Sequence, residues 1–295
     1  MKKFLTTFLV GLAICSQAQD LESMMNDLQK DSTQTKEYVK STFKGTKLIN
    51  GHSIESPAPG VLQFIIYHRF GDMKNVLYNF FGLDQASTRL GLDYGINKNL
   101  SVGYGRTAVN KAIDGYIKYK ILRQTTDNSM PVSLAIVEGA SINCVKDATY
   151  YTNNGLRRLN YLSQIILARK FSQGFSAQLM PTLVHNNLAE NGNKNTVFSL
   201  GYGARAKISR RTSVNWEHFY LMPNQLTSNY RSTIALGFDI DTGGHIFQFH
   251  LTNASSLIEQ QFITNTTGNV LKSEFRLGFN ISRVFTINKK AASKS

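Results

Sequence analysis

The side chains able to do chemistry in this chain are scattered, and their types first say what that chemistry is not. Histidines at 52, 68, 185, 218, 245 and 250 fall in no metal-ligand spacing, so the sequence assigns no metal site and no cofactor. His185-Asn186-Asn187 and Glu217-His218 supply bases, but no serine beside them sits in a recognisable nucleophile motif. That makes a lipid-acting enzyme the weakest reading. Gly103-x-Gly105 opens no helix, so it cradles no phosphate. What remains is a set of charges: Arg89, Asp93, Lys118, Lys120, Lys170, Arg205, Lys207, Glu217, Asp239 and Arg276, with His250 among them. Basic groups outnumber acidic ones. Placed on one wall, they would attract anions along a path, or they would cancel one another in ion-pair networks. Both readings stay open at this point.

What puts these residues on one wall is a period of two. From Arg89 to Thr107, Leu90, Leu92, Tyr94 and Ile96 alternate with Arg89, Gly91, Asp93 and Gly95. A short turn at Asn97-Lys98-Asn99 follows. Leu100, Val102 and Tyr104 then alternate with Ser101, Gly103 and Gly105. This is a hairpin with one apolar face and one polar or glycine face. Near the end, Ile234, Leu236, Phe238 and Ile240 alternate with Ala235, Gly237 and Asp239, and Phe275, Leu277, Phe279 and Ile281 with Arg276, Gly278 and Asn280. Lipid cannot hydrogen-bond a charge, so the apolar set is expected to face out and the polar set in. The inward set is rich in glycine (91, 103, 105, 201, 203, 237 and 278). Bending at barrel corners is the favoured role, ahead of making room for large neighbours.

Twelve strands are expected, near 61–70, 87–96, 99–107, 114–122, 131–142, 158–171, 174–184, 195–208, 212–220, 231–241, 244–253 and 273–286. Strand 5 is the most uniformly apolar and fits the alternation least well. Connections after strands 2, 4, 6, 8 and 10 are mostly tight. Those after strands 1, 5, 7, 9 and 11 are long, including 71–86, 143–157, 185–194, 221–230 and 254–272. Sorting of loop length by parity is expected of a transmembrane barrel and not of a soluble sandwich. The fold class is therefore all-β, an antiparallel transmembrane β-barrel over 61–287. Thirteen tyrosines and 18 phenylalanines suit its aromatic girdles.

The ends agree. Met1-Lys2-Lys3, an apolar run from Phe4 to Ile14 and Ser16-Gln17-Ala18 form a secretory signal over 1–18, cut after Ala18. Lipidation at Cys15 is disfavoured by the bulky Ile14 before it. No run of 18 apolar residues follows, which excludes spanning helices. Loss of Cys15 leaves Cys144 alone, without an intramolecular disulfide. Residues 19–60, with a short helix expected over 21–28, form an N-terminal periplasmic segment that is either a leader or a plug in the barrel mouth. A polar tail, 288–295, ends the chain. The formal charge of +14 is spread along the sequence, and the chain is exported, so nucleic acid is not an expected partner.

Tyr67-His68-Arg69-Phe70-Gly71, Asn79-Phe80-Phe81-Gly82-Leu83-Asp84, Gly103-Tyr104-Gly105-Arg106, Asp241-Thr242-Gly243-Gly244-His245-Ile246-Phe247-Gln248 and Gly278-Phe279-Asn280-Ile281-Ser282-Arg283 occur in that order. Over residues 40–286 the chain resembles a family of uncharacterised β-barrel proteins of Gram-negative bacteria. The resemblance implies a barrel in the outer membrane and brings no catalytic or binding residue with it. Expected partners are outer-membrane lipid and the barrel-assembly machinery. The expected function is a passive pore or transport component for a small anionic solute. The alternative is a non-conducting barrel that docks a periplasmic or surface protein through loops such as 254–272.

Overall fold

A computed structural model describes residues 37–74, 78–146 and 155–292. The signal peptide, Cys15, the helix expected over 21–28 and the last residues of the tail lie outside the described residues. From Val39 onward the chain forms one compact unit.

Twelve strands make it: β1 Val61–Asp72, β2 Ala86–Gly95, β3 Leu100–Thr107, β4 Ile113–Leu122, β5 Ser133–Ile142, β6 Leu159–Lys170, β7 Phe175–Asn186, β8 Thr196–Lys207, β9 Thr212–Leu221, β10 Thr233–Asp241, β11 His245–Thr252 and β12 Arg276–Thr286. Each pairs antiparallel with its sequence neighbour, and β1 pairs with β12 from Val61↔Thr286 to Arg69↔Gly278. The sheet is a closed barrel. Closure pairs every strand on both sides, as a sheet in hydrocarbon must. Gly60 seals the seam at one end, its carbonyl accepting from the amides of Ile287 and Asn288. Its φ of +73° would strain any other residue, and a Cβ there would meet the Asn288 carbonyl at 2.4 Å.

The alternation follows the expected faces. Along β10, Leu236 is 55% exposed on the outside while its neighbour Ala235 is 2% exposed inside. Exposed aromatics stand near both ends of the wall, Tyr119, Phe171, Phe175 and Phe285 at one and Tyr161, Phe198 and Tyr220 at the other, with Tyr104, Trp216 and Phe249 between them. Loop length sorts by end with two exceptions, the brief β3–β4 connection over 108–112 and the longer β4–β5 connection over 123–132.

The interior is filled by two stretches of chain rather than by wall side chains alone. Residues 39–60 enter at the short-turn end, where the Val39 amide donates to the Gln124 carbonyl. They turn at an antiparallel bridge between Lys47 and His52 and leave beside Gly95, which bridges Pro59. From the long-loop end, the β11–β12 connection folds inward and carries α1 (Glu259–Asn265), of which all but Asn265 is buried. The expectation that 254–272 forms an exposed recognition loop is thereby corrected: Ala254, Leu257, Ile258 and Phe262 are buried.

The apolar character of β5 also finds its reason. Ala135 and Val137, fully buried on the inner wall, belong to one cluster with Phe43, Leu48 and Ile54 of the entering segment and Phe262 and Ile263 of α1. A twelve-stranded wall is too wide for its own side chains to fill. On this side it is packed like a soluble core.

Candidate functional site

The candidate site is the lumen where the entering segment, α1 and the wall meet. Its central group is Glu217 on β9, with no solvent exposure. Its carboxylate accepts the backbone amides of Ile49 (3.2 Å), Asn50 (3.1 Å) and Gly51 (3.0 Å) at the tip of the segment. Three convergent N–H groups form a concave anion seat, here occupied by a wall carboxylate. The tip must be glycine at position 51, because a Cβ would meet the Phe219 ring at 2.6 Å.

The basic wall residues take the segment's carbonyls. Lys118 Nζ donates to Ser53 O (3.0 Å) and Glu55 O (2.8 Å). Arg205 donates to Ser41 O and Thr42 O, both at 3.1 Å, and Lys170 to Lys40 O at 2.9 Å. Neutral amides finish the lining. Gln178 donates to His52 O and accepts from the Ile54 amide. Gln248 donates to Leu48 O, and Asn280 to Ile49 O. A segment without its own secondary structure must find partners for every buried N–H and C=O. The wall charges supply them.

The two inserted stretches are tied to each other. Lys47 Nζ reaches Glu259 Oε1 of α1 at 2.8 Å, both side chains 5% exposed. His52 lies 3.7 Å from the same oxygen. Burial, then the charge of Lys47, holds His52 well below its ordinary pKa, so Lys47 is the ionic partner of Glu259. Arg69 spans both pieces, donating to Asn50 Oδ1 (2.6 Å) and to Ala254 O (2.7 Å). Phe262 meets the Phe219 ring edge-on with centroids 5.1 Å apart.

The residues singled out from the sequence fall as follows. Arg89 forms a two-point ion pair with Asp114, and Asp93 accepts the Thr46 hydroxyl at 3.1 Å. Asp239 accepts from Gln248 at 3.1 Å. His250 lies 3.2 Å from Arg69. Arg276 is half-buried and donates to Asn253 O. Lys120 is half-buried on the Lys118 face, while Lys207 lies exposed at the rim. The structure thus brings Asp93, Lys118, Lys170, Arg205 and Glu217 onto one segment, and holds Arg89, Lys120, Lys207 and Arg276 apart from its tip.

Sequence reasoning left Arg69, Asp114, Gln178, Gln248, Asn280, Lys47 and Glu259 out of the candidate set, although the alternation had turned Gln248 and Asn280 inward. Strand parity marks the five wall residues as inward. Nothing in the pattern shows that Lys47 and Glu259 lie inside the wall at all. For the inward glycines the structure supports the second of the two expected roles. Added Cβ atoms would meet Leu48 at Gly203 (2.3 Å), Tyr116 at Gly103 (2.0 Å), Arg89 at Gly105 (2.3 Å) and His250 at Gly278 (2.4 Å). These glycines make room for bulky interior groups.

On the outer face, His218 stacks with Tyr202, centroids 6.1 Å apart. His185 lies 2.8 Å from the Thr196 hydroxyl. Among the described residues, no group of histidine, cysteine and carboxylate side chains is placed to hold a metal ion.

A closed antiparallel wall, apolar outside and polar within, with no helix among the described residues able to cross a bilayer, defines a membrane β-barrel. Residues 43–285 match the family model described as a membrane-bound β-barrel domain (DUF5777), and the chain belongs to that family. No curated protein matches it. Among solved structures it is similar to the NanC porin (9% identity, 76% of this chain and 98% of that one, TM-score 0.49). It is also similar to the KdgM porin (10%, 75% and 99%, 0.49) and to outer membrane phospholipase A from Escherichia coli (12%, 75% and 89%, 0.44).

Proposed function

We propose that this protein is an outer-membrane transport barrel for a small, anionic solute, closed at rest by residues 39–60 and α1, with the short-turn end in the periplasm. The observation that carries the reading is that Lys118, Lys170, Arg205 and Glu217 of the wall are committed to an insert held by non-covalent contacts, while Arg89 and Asp114 pair with each other. Displacing the insert would bare Arg69, Lys118, Lys170 and Arg205, together with Lys120 and Arg276. Against them stand Asp93, Glu217 and Asp239, with Asp114 already paired to Arg89. The exposed wall would be polar and net basic, which favours anions at close range.

The alternative, a non-conducting barrel that docks a periplasmic or surface protein, draws support from the apolar cluster inside the wall. Lys118→Glu in a liposome-swelling assay separates the two readings. A carboxylate facing the Ser53 and Glu55 carbonyls repels them, so the segment should loosen and uptake of small anions should rise several-fold over the parent. If swelling stays at the protein-free level in both, the docking reading is the better account.

A further inference from the structure

At the long-loop end, above α1, described residues of the β5–β6, β7–β8 and β9–β10 connections line a cavity of about 680 Å³, within the usual range for small-molecule sites. Its lining is unusual in kind. Seven asparagines and two glutamines contribute to it, against three aliphatic side chains larger than alanine. Side-chain amides offer a donor and an acceptor each, the pairing that neighbouring sugar hydroxyls need. The charges are also one-sided. Among the described residues, Arg157 and Lys194 line the cavity with one carboxylate, Glu190, and that carboxylate already accepts the Tyr230 hydroxyl at 2.6 Å. The floor is α1. There Gln261 is 5% exposed, and its Oε1 has no hydrogen-bond partner among the described residues. A buried acceptor left unmatched is unfavourable.

We propose that this cavity binds a short acidic oligosaccharide, its hydroxyls read by the amides and its carboxylates met by Arg157 and Lys194. The proposal goes beyond the transport reading and does not need conduction, since binding is measured on the closed barrel. The experiment is calorimetric titration of the detergent-folded mature chain with a uronic-acid trisaccharide, with maltotriose as the neutral counterpart. The trisaccharide acid should bind at least tenfold more tightly than maltotriose. Arg157→Ser combined with Lys194→Ser should reduce that affinity tenfold or more. Both side chains are exposed, so the variant should fold, which retained heat-modifiable gel migration checks. Gln261→Leu should weaken both sugars. No binding of the acid at millimolar concentration would overturn the proposal. So would equal affinity for maltotriose, or unchanged binding in the double variant.

Discussion

At the scale of single residues, the lumen exchanges charge for backbone. Glu217 satisfies three amides that have no other partner, so Glu217→Ala would strand them in a dry interior. With each orphaned buried donor worth roughly 1–3 kcal/mol, the loss should be about 3 kcal/mol or more. Denaturant titration of the folded barrel in detergent measures it, and a change below 1 kcal/mol would mean that the tip is not seated as described. His52 adds a pH dependence. It is neutral in the folded interior, where burial first and then the charges of Lys47, Lys118 and Arg89 lower its proton affinity and Glu259 is the nearby carboxylate. Released, it would take up a proton near its ordinary 6.5. Docking of the segment is therefore at full strength above that pH and weakens as the pH falls below it. Conductance in planar bilayers should rise on acidification from 7.5 to about 5, and His52→Gln should flatten that response. A parent protein with no pH response would remove His52 from the closure.

At the scale of elements, period-two alternation was enough to place all twelve strands, because a sheet between lipid and a polar interior leaves each residue only two choices. The expected lipid face gives a direct test. A charge at Leu236 should cost roughly 2–4 kcal/mol near the midplane, read as a shift in refolding into bilayers. Tolerance there equal to that at an exposed loop position would contradict the assignment. Glu138 is the instructive exception. It sits on the outer face of β5, exposed, and accepts the Ser163 hydroxyl at 2.7 Å. Glu138→Leu should stabilise the barrel by on the order of 1 kcal/mol, since lipid disfavours the carboxylate; destabilisation would show that it has a partner in the membrane. The re-entrant segment and α1 were not legible in this way. Neither carries a period, since their order comes from wall side chains far away in sequence, such as Glu217 to Asn50. Inward parity identified the charges on the wall, but not what they would be spent on.

At the scale of the whole molecule, a wall of twelve strands leaves space that must be filled by water, solute or chain, and here it is chain. Lys47 and Glu259 join the insert from the short-turn end to the insert from the long-loop end, so the two closures are mechanically one. The central claim is that this insert, held by reversible contacts, closes a polar path. Single-channel recording of the purified full chain and of a chain lacking residues 20–55 tests it most directly. The account predicts a silent or briefly flickering parent and a deletion variant with steady conductance that favours anions. Equal conductance in both, or silence in a deletion variant whose heat-modifiable migration shows a folded barrel, would contradict it.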